Sequence, residues 1–481
     1  MKKALSVFLI CVMVLGLCAC GESEAPAAET PALRVGYARV NITPNYSVPL
    51  AGYGNSDQRM SDGLLSYLYA TCIAVTDAED STVLLITMDF TGMYNNIVGP
   101  LRDSITAATG VPADRIMMNV THAHSGPEAS NTNNPAIQRY IPELTKWVTQ
   151  AATEAMADRS PATIETGVSY TQNLNFVRHY TTTANEIYGD NLTLNGSITG
   201  HWAEPDNQIQ LICFRRAAED KKDILAVNWQ AHPKLDSSGE TVEGKAKRGM
   251  LSADYVGAAR DYVESKTDYL FAFYLGAAGN LNANSKITSE NYSTDCKTYG
   301  AKLGDYILEG EATLKPVAAQ NPKVTSTQQI FHATYDHTED SKAADASKIS
   351  SVWHATNNYT MAMQEAPGAQ IYSPYHADSI IGRAGVTDPT RPLELNAIRI
   401  GDIAFVTAPY EMFDVNGMYI KENSPYETTF VMTMANGANS YIAAEYAFEG
   451  RGTYEVHNRL LIKGTAEELA STFVDMLNSL K

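Results

Sequence analysis

The sequence predicts an α/β fold: a mixed β-sheet core flanked by helices, with the active site at the C-terminal ends of strands. Two observations carry this. Apolar runs of strand length alternate along the chain with longer stretches of helical period. Residues 34–481 also suffice for a sizeable buried core, with 44% hydrophobic and 19% charged residues overall.

Taken in order, the runs RVGYARVNI (34–42), YLYATCIAV (67–75), TVLLITM (82–88) and IMMNV (116–120) read as strands. Further strands fit 207–214, 224–229, 269–275, 393–400, 403–407 and 428–434. Helical period runs through 96–109, 142–157, 253–265, 298–309 and 466–480. Residues 336–390, rich in Ser, Ala, Asn and Thr, read as an insertion of helix and loop in an otherwise single domain, 34–481. No internal repeat is visible.

At the start of the chain, Lys2 and Lys3 precede an apolar run from Ala4 to Ala19 that is too short to span a bilayer stably. It reads as a signal peptide, residues 1–20. Leu17, Cys18, Ala19 and Cys20 form the pattern of a bacterial lipoprotein cleavage site, with Cys20 taking the lipid. The expected location is therefore the bacterial cell surface, anchored to the membrane through Cys20; ordinary secretion is the alternative. Residues 21–33 (GESEAPAAETPAL) read as a flexible tether. A net charge of −18 argues against nucleic acid and against attraction to anionic lipid. Cys72, Cys213 and Cys296 stand apart with no CxxC pattern, which favours free buried thiols.

Open α/β sheets place ligand sites beyond the carboxyl ends of their strands, so the residues there are informative. His122 and His124 follow Val120, His232 follows Trp229, and GAAGNLN follows Leu275. Glu411 follows Thr407, and NGANSYIAAEY follows Met434. Singly, each residue is more often structural. Together they suit a catalytic Zn2+, which takes imidazole nitrogen and carboxylate oxygen and keeps a position for water. A continued strand would aim His122 and His124 to one side, but the turn at Gly126 favours one as ligand and the other acting nearby. Asp89, closing LLITMD, either orients a metal-bound imidazole or caps the next segment.

The stretches VGYARVNITP (35–44), THAHSGPE (121–128), NWQAHP (228–233), SADYVGAARDYVE (252–264), FYLGAAGNLN (273–282), APYEMF (408–413) and NGANSYIAAEYAFEGRGTYE (436–455) resemble, in this order, the neutral/alkaline non-lysosomal ceramidase family. The resemblance implies a zinc hydrolase that cleaves the amide of N-acylsphingosine (ceramide) or a related N-acyl lipid. It implies His122, His232, Glu411 and Tyr441 as metal ligands, with His124, Arg178 (in NLNFVRHY) and Tyr454 (in GTYE) lining the site.

In that reading His124 shuttles a proton to the departing amine, and Tyr454, Arg178 or backbone N–H groups of the turn at Gly279 and Asn280 hold the oxyanion. Where close ceramidases carry an aspartate and then a serine in this turn, the chain has Asn280 and Asn282, so metal-activated water replaces any serine nucleophile. Those ceramidases also carry a C-terminal immunoglobulin-like domain, for which no counterpart is expected here. Two alternatives stand: a zinc hydrolase of another acylated amine, amino sugar or peptide, and a surface lipoprotein that binds without turnover.

Overall fold

The computed structural model describes residues 33–54, 56–130, 133–189, 198–237, 240–317 and 322–481. The expected signal peptide, Cys20 and all of the tether but Leu33 lie outside these.

Each strand-like run of the sequence forms a strand, and the chain uses one arrangement three times. In the first unit β1 (Leu33–Asn41), β2 (Tyr69–Asp77) and β3 (Thr82–Met88) pair antiparallel in succession. Helix α1 (Asn95–Thr109) then crosses to β4 (Ile116–Val120), parallel to β3, and α2 (Pro135–Ala157) follows. The second unit repeats this with β5 (Ser160–Tyr170), β6 (Gln208–Arg216), β7 (Ile224–Trp229), α3 (Asp254–Lys266), β8 (Leu270–Leu275) and α4 (Cys296–Glu311). In the third, α5 (Ala343–Thr356) and α6 (Pro374–Ala384) interrupt the hairpin of β9 (Val324–Thr334) and β10 (Thr390–Ile400). The unit then closes with β11 (Ile403–Thr407), α7 (Asp414–Asn423), β12 (Thr428–Met432) and α8 (Thr465–Ser479). The repeat is one of topology, which leaves no periodic residue signature for the sequence to show.

Units one and two join through antiparallel β1–β5 pairing into one sheet, in the order β8-β7-β6-β5-β1-β2-β3-β4, while the third forms its own sheet, β9-β10-β11-β12. The sheets pack face to face through Val35, Ile73, Leu85 and Ile212 on one and Ile398, Phe405 and Phe430 on the other. Helices α1 and α2 cover the outer face of the first unit through Leu101, Tyr140 and Val148. Helices α3 and α4 do so for the second through Val256 and Leu303, and α7 and α8 for the third through Ile420, Leu469 and Phe473. The result is a four-layer α/β/β/α sandwich. Strands covered on both faces lose the in–out alternation of half-exposed ones, which is why β2 and β3 are continuous apolar runs. Each such buried side chain contributes about 1.5–3 kcal/mol.

One buried amide ties the units together. Asn119 of β4 donates from Nδ2 to Thr433 O (2.6 Å), and its Oδ1 accepts from Leu275 N (2.9 Å). Asn228 of β7 likewise donates to Tyr274 O and Val431 O. The carboxyl ends of β4, β7, β8 and β12 therefore converge, and the loops that leave them build a common site. Cys72, Cys213 and Cys296 are free and buried. Among the described residues no helix is long and apolar enough to cross a membrane.

Candidate active site

His122 adopts a left-handed backbone conformation (φ 64°), unusual for a residue with a Cβ and costing on the order of 1 kcal/mol. That turn keeps both rings of the H-x-H pair together: the Nε2 atoms of His122 and His124 lie 3.4 Å apart. The sequence reading gave the two different roles, one binding metal and the other acting nearby, because of the turn at Gly126; the chain turns earlier, at His122 itself, and keeps His124 beside the centre. His124 is held by its backbone N–H, which donates to Pro233 O at 2.9 Å, next to His232.

Glu411 and Tyr441 enter from the third unit as register partners on two short parallel strands, Glu411–Met412 and Tyr441–Ile442, so their side chains leave the same face. Glu411 Oε2 lies 3.0 Å from His232 Nε2 and 3.4 Å from His122 Nε2. The Tyr441 hydroxyl lies 3.2 Å from His232 Nε2. Among the described residues His122, His124 and His232 form one buried cluster able to hold a metal ion, and Asp236, Asp254 and Cys296 form another.

The donors fit a cation. His122 Nδ1 donates to Thr91 O (2.6 Å) and His232 Nδ1 to Leu281 O (3.0 Å), and a proton committed there leaves each Nε2 lone pair facing the centre. Two imidazole lone pairs and a carboxylate oxygen turned on one buried point make a nitrogen–oxygen donor set of the kind zinc accepts. Electrostatics agree. Burial holds His124 well below the usual imidazole range, with the neighbouring His122 and His232 adding to it. Burial, then Arg178, lowers His232 to about 4, so both rings are neutral near pH 7. Burial alone would raise the Glu411 carboxyl, but His122 and His232 outweigh it and hold it well down.

Arg178 lies behind Tyr441 and Tyr454, its guanidinium 5.3 and 5.6 Å from the two ring centroids. It is buried and ion-paired to Glu455, and it donates to Gly279 O at 2.8 Å. Glu455 also accepts from His179 Nε2 at 3.0 Å. Sequence reasoning missed Glu455, His179, Thr91 and Leu281. Glu455 and His179 stand directly beside Tyr454 and Arg178, but only the fold brings the two segments together.

Gly279 and Asn280 support the site rather than line it. The Gly279 N–H, expected as an oxyanion donor, is committed to Met412 O at 2.7 Å. A Cβ at Gly279 would stand 2.7 Å from Glu411 O, so only glycine permits this approach. The Asn280 side chain is wholly buried and bonded to Asp414 and Tyr446. Asp89 orients no imidazole: it accepts from Arg260 Nη1 at 2.8 Å and from Tyr69 N at 3.0 Å, and Thr91 takes the orienting role instead.

A cavity of about 480 Å3 opens onto His122, His124, Glu411 and Tyr441. Its further lining is mixed, with Met434, Ala438 and Leu460 beside Glu128, Asp378, Arg391, Asn439 and Asn458. A second cavity, about 220 Å3, reaches the same centre from the side of Arg178 and Lys234.

The fold and the buried imidazole–carboxylate centre define an α/β protein with a candidate metal site at strand ends. No family model and no curated protein matches the chain. Solved structures do: neutral ceramidase from Pseudomonas aeruginosa is 17% identical with a TM-score of 0.68, the match covering 94% of this chain and 75% of that one. A ceramidase complexed with C2 gives 16% and 0.67 over the same shares. The chain thus has the fold of these neutral ceramidase structures.

Proposed function

We propose that the chain is a zinc-dependent amide hydrolase that cleaves N-acylsphingosine or a related N-acyl lipid to fatty acid and amine. The convergence of His122, His232, Glu411 and Tyr441 on one buried point beside an open cavity carries the reaction class. The shared ceramidase fold and the colinear motifs support the substrate. Presentation on a membrane through lipidated Cys20 belongs to the same proposal.

His122, His232, Glu411 and Tyr441 would hold the ion, and zinc bound there would supply a water acidified to a pKa of about 7 and a polarised amide carbonyl. Burial keeps the Tyr454 hydroxyl protonated far above neutral pH. Tyr454 and Arg178 therefore present fixed donors to the oxyanion of the tetrahedral intermediate. Glu455 keeps the Arg178 guanidinium in place. His124, neutral near pH 7, takes the proton of the attacking water and gives it to the departing amine nitrogen.

The polar part of the cavity lining, Glu128, Asp378, Arg391 and Asn439, favours a second reading in which the amine half is polar, as in an acylated amino sugar or peptide. The test is release of fatty acid from a fluorescent N-acylsphingosine and from an N-acyl glucosamine, with chelator and then with zinc restored. Turnover lost to chelator and regained with zinc is expected, and the preferred substrate decides between the readings. His232→Ala and Glu411→Ala should each abolish activity and most zinc binding; a variant that keeps both overturns the assignment.

A further inference from the structure

We infer that Tyr375, carried by the helical segment between β9 and β10, is a specificity-determining residue that divides the substrate site into two arms; this rests on the hydrolase reading above. The 480 and 220 Å3 cavities share Gly52, His124, Tyr375, Tyr441 and Tyr454 as lining. His124, Tyr441 and Tyr454 belong to the reacting centre, and Gly52 has no side chain. Tyr375 is the remaining side chain common to both, so its ring stands where they meet.

The ring is fixed rather than loosely draped. Its hydroxyl donates to Tyr53 O at 2.9 Å, and its edge packs against Trp353 and Tyr454 at centroid distances of 5.7 and 6.2 Å. Gly54, with φ 55°, makes room for it: a Cβ there would stand 2.5 Å from Tyr375 Cε1. Helix α6 holds the residue in place through its Ser373 cap and through Arg383, which donates to Arg459 O at 2.8 Å. Both cavities open on His124 and Tyr441, so an amide whose carbonyl lies at the imidazoles has a separate cavity for each of its acyl and amine halves. Tyr375 limits the size of the half that occupies the 220 Å3 arm.

The experiment compares the parent protein with Tyr375→Ala on two amide series, one varying acyl length at fixed amine and one varying the amine at fixed acyl group. Binding of the free fatty acids of the first series and of the free amines of the second is measured in parallel by calorimetry. In one series Tyr375→Ala should raise kcat/KM for the longest member relative to the shortest by about tenfold or more, mainly through KM, and extend binding to longer ligands in the same way. Gly54→Ala, which displaces the ring and leaves Tyr375 itself unaltered, should change the size profile of the same series and leave the other series as it is. A uniform loss across both series, with unchanged size profiles in kinetics and binding, overturns the inference. If the parent turns over no amide, the hydrolase reading fails, and the binding profiles still decide the role of Tyr375.

Discussion

Asn280 and Asp414 face each other through reciprocal hydrogen bonds: Asn280 Nδ2 donates to Asp414 Oδ1 at 2.7 Å, and Asn280 Oδ1 accepts from Asp414 N at 2.9 Å. The pair joins the glycine-rich turn of the second unit to the first residue of α7, three residues beyond Glu411. The Asn280 side chain therefore positions the strand that presents Glu411.

Replacing Asn280 by aspartate tests this. Burial pushes the Asp414 carboxyl up to about 6, so a second carboxylate beside it leaves two buried acids competing for one proton. Asn280→Asp should lose about 1–3 kcal/mol of stability at pH 8 and markedly less at pH 5, as read by urea denaturation. An equal loss at both values would rule out the pairing as its cause.

His124 and His232 should separate in their effects. His122 and His232 each commit Nδ1 to a backbone carbonyl, whereas His124 Nδ1 is buried with no hydrogen-bond partner among the described residues, so no such bond presets its tautomer for a metal. His124→Ala should keep most of the bound zinc while kcat falls about 10²- to 10⁴-fold. His232→Ala should lose both. Metal analysis of the purified variants beside a rate measurement checks the split, and loss of zinc in His124→Ala would make that residue a ligand.

Asn119 should be costly to replace. It is wholly buried and satisfies backbone groups from the other two units, at Leu275 and Thr433. Asn119→Leu leaves that carbonyl and that N–H unpaired in the core, at about 1–3 kcal/mol each. Chemical denaturation should show this loss with an unchanged m-value. A near-neutral result would mean that the Asn119 amide adds nothing to the apolar packing, the β1–β5 pairing and the Asn228 bonds that also join the units.

What the sequence revealed follows from which interactions are local. Strands β2, β3 and β7 were legible because burial on both faces makes them continuous apolar runs. β5 (SPATIETGVSY) and β9 (VTSTQQIFHAT) escaped because they are half-exposed and rich in polar residues. His122, His232 and Glu411 stood out because each follows a recognisable strand. The Glu411–Tyr441 register, the Arg178–Glu455 ion pair and the Tyr375 partition join segments far apart in sequence, and no local pattern encodes them.

Asp254 should set part of the pH dependence of stability. Burial, with Asp236 beside it, pushes its carboxyl from 3.8 up to about 7, while its oxygens accept from the Asp236 and Tyr255 backbone N–H groups at 2.8 Å. A raised acid pKa means that the folded state binds the proton more tightly than the unfolded one. Its contribution is therefore fully present below about pH 4 and declines as pH rises through 7, where the folded protein must ionise a buried acid. Asp254→Asn removes that ionisation, at the cost of a constant offset from one lost acceptor. Measured by urea denaturation, the parent should lose on the order of 1–3 kcal/mol relative to the variant between pH 5 and pH 8. Parallel stability curves for the two proteins would show instead that Asp254 is already ionised across this range, with another group meeting the cost of its burial.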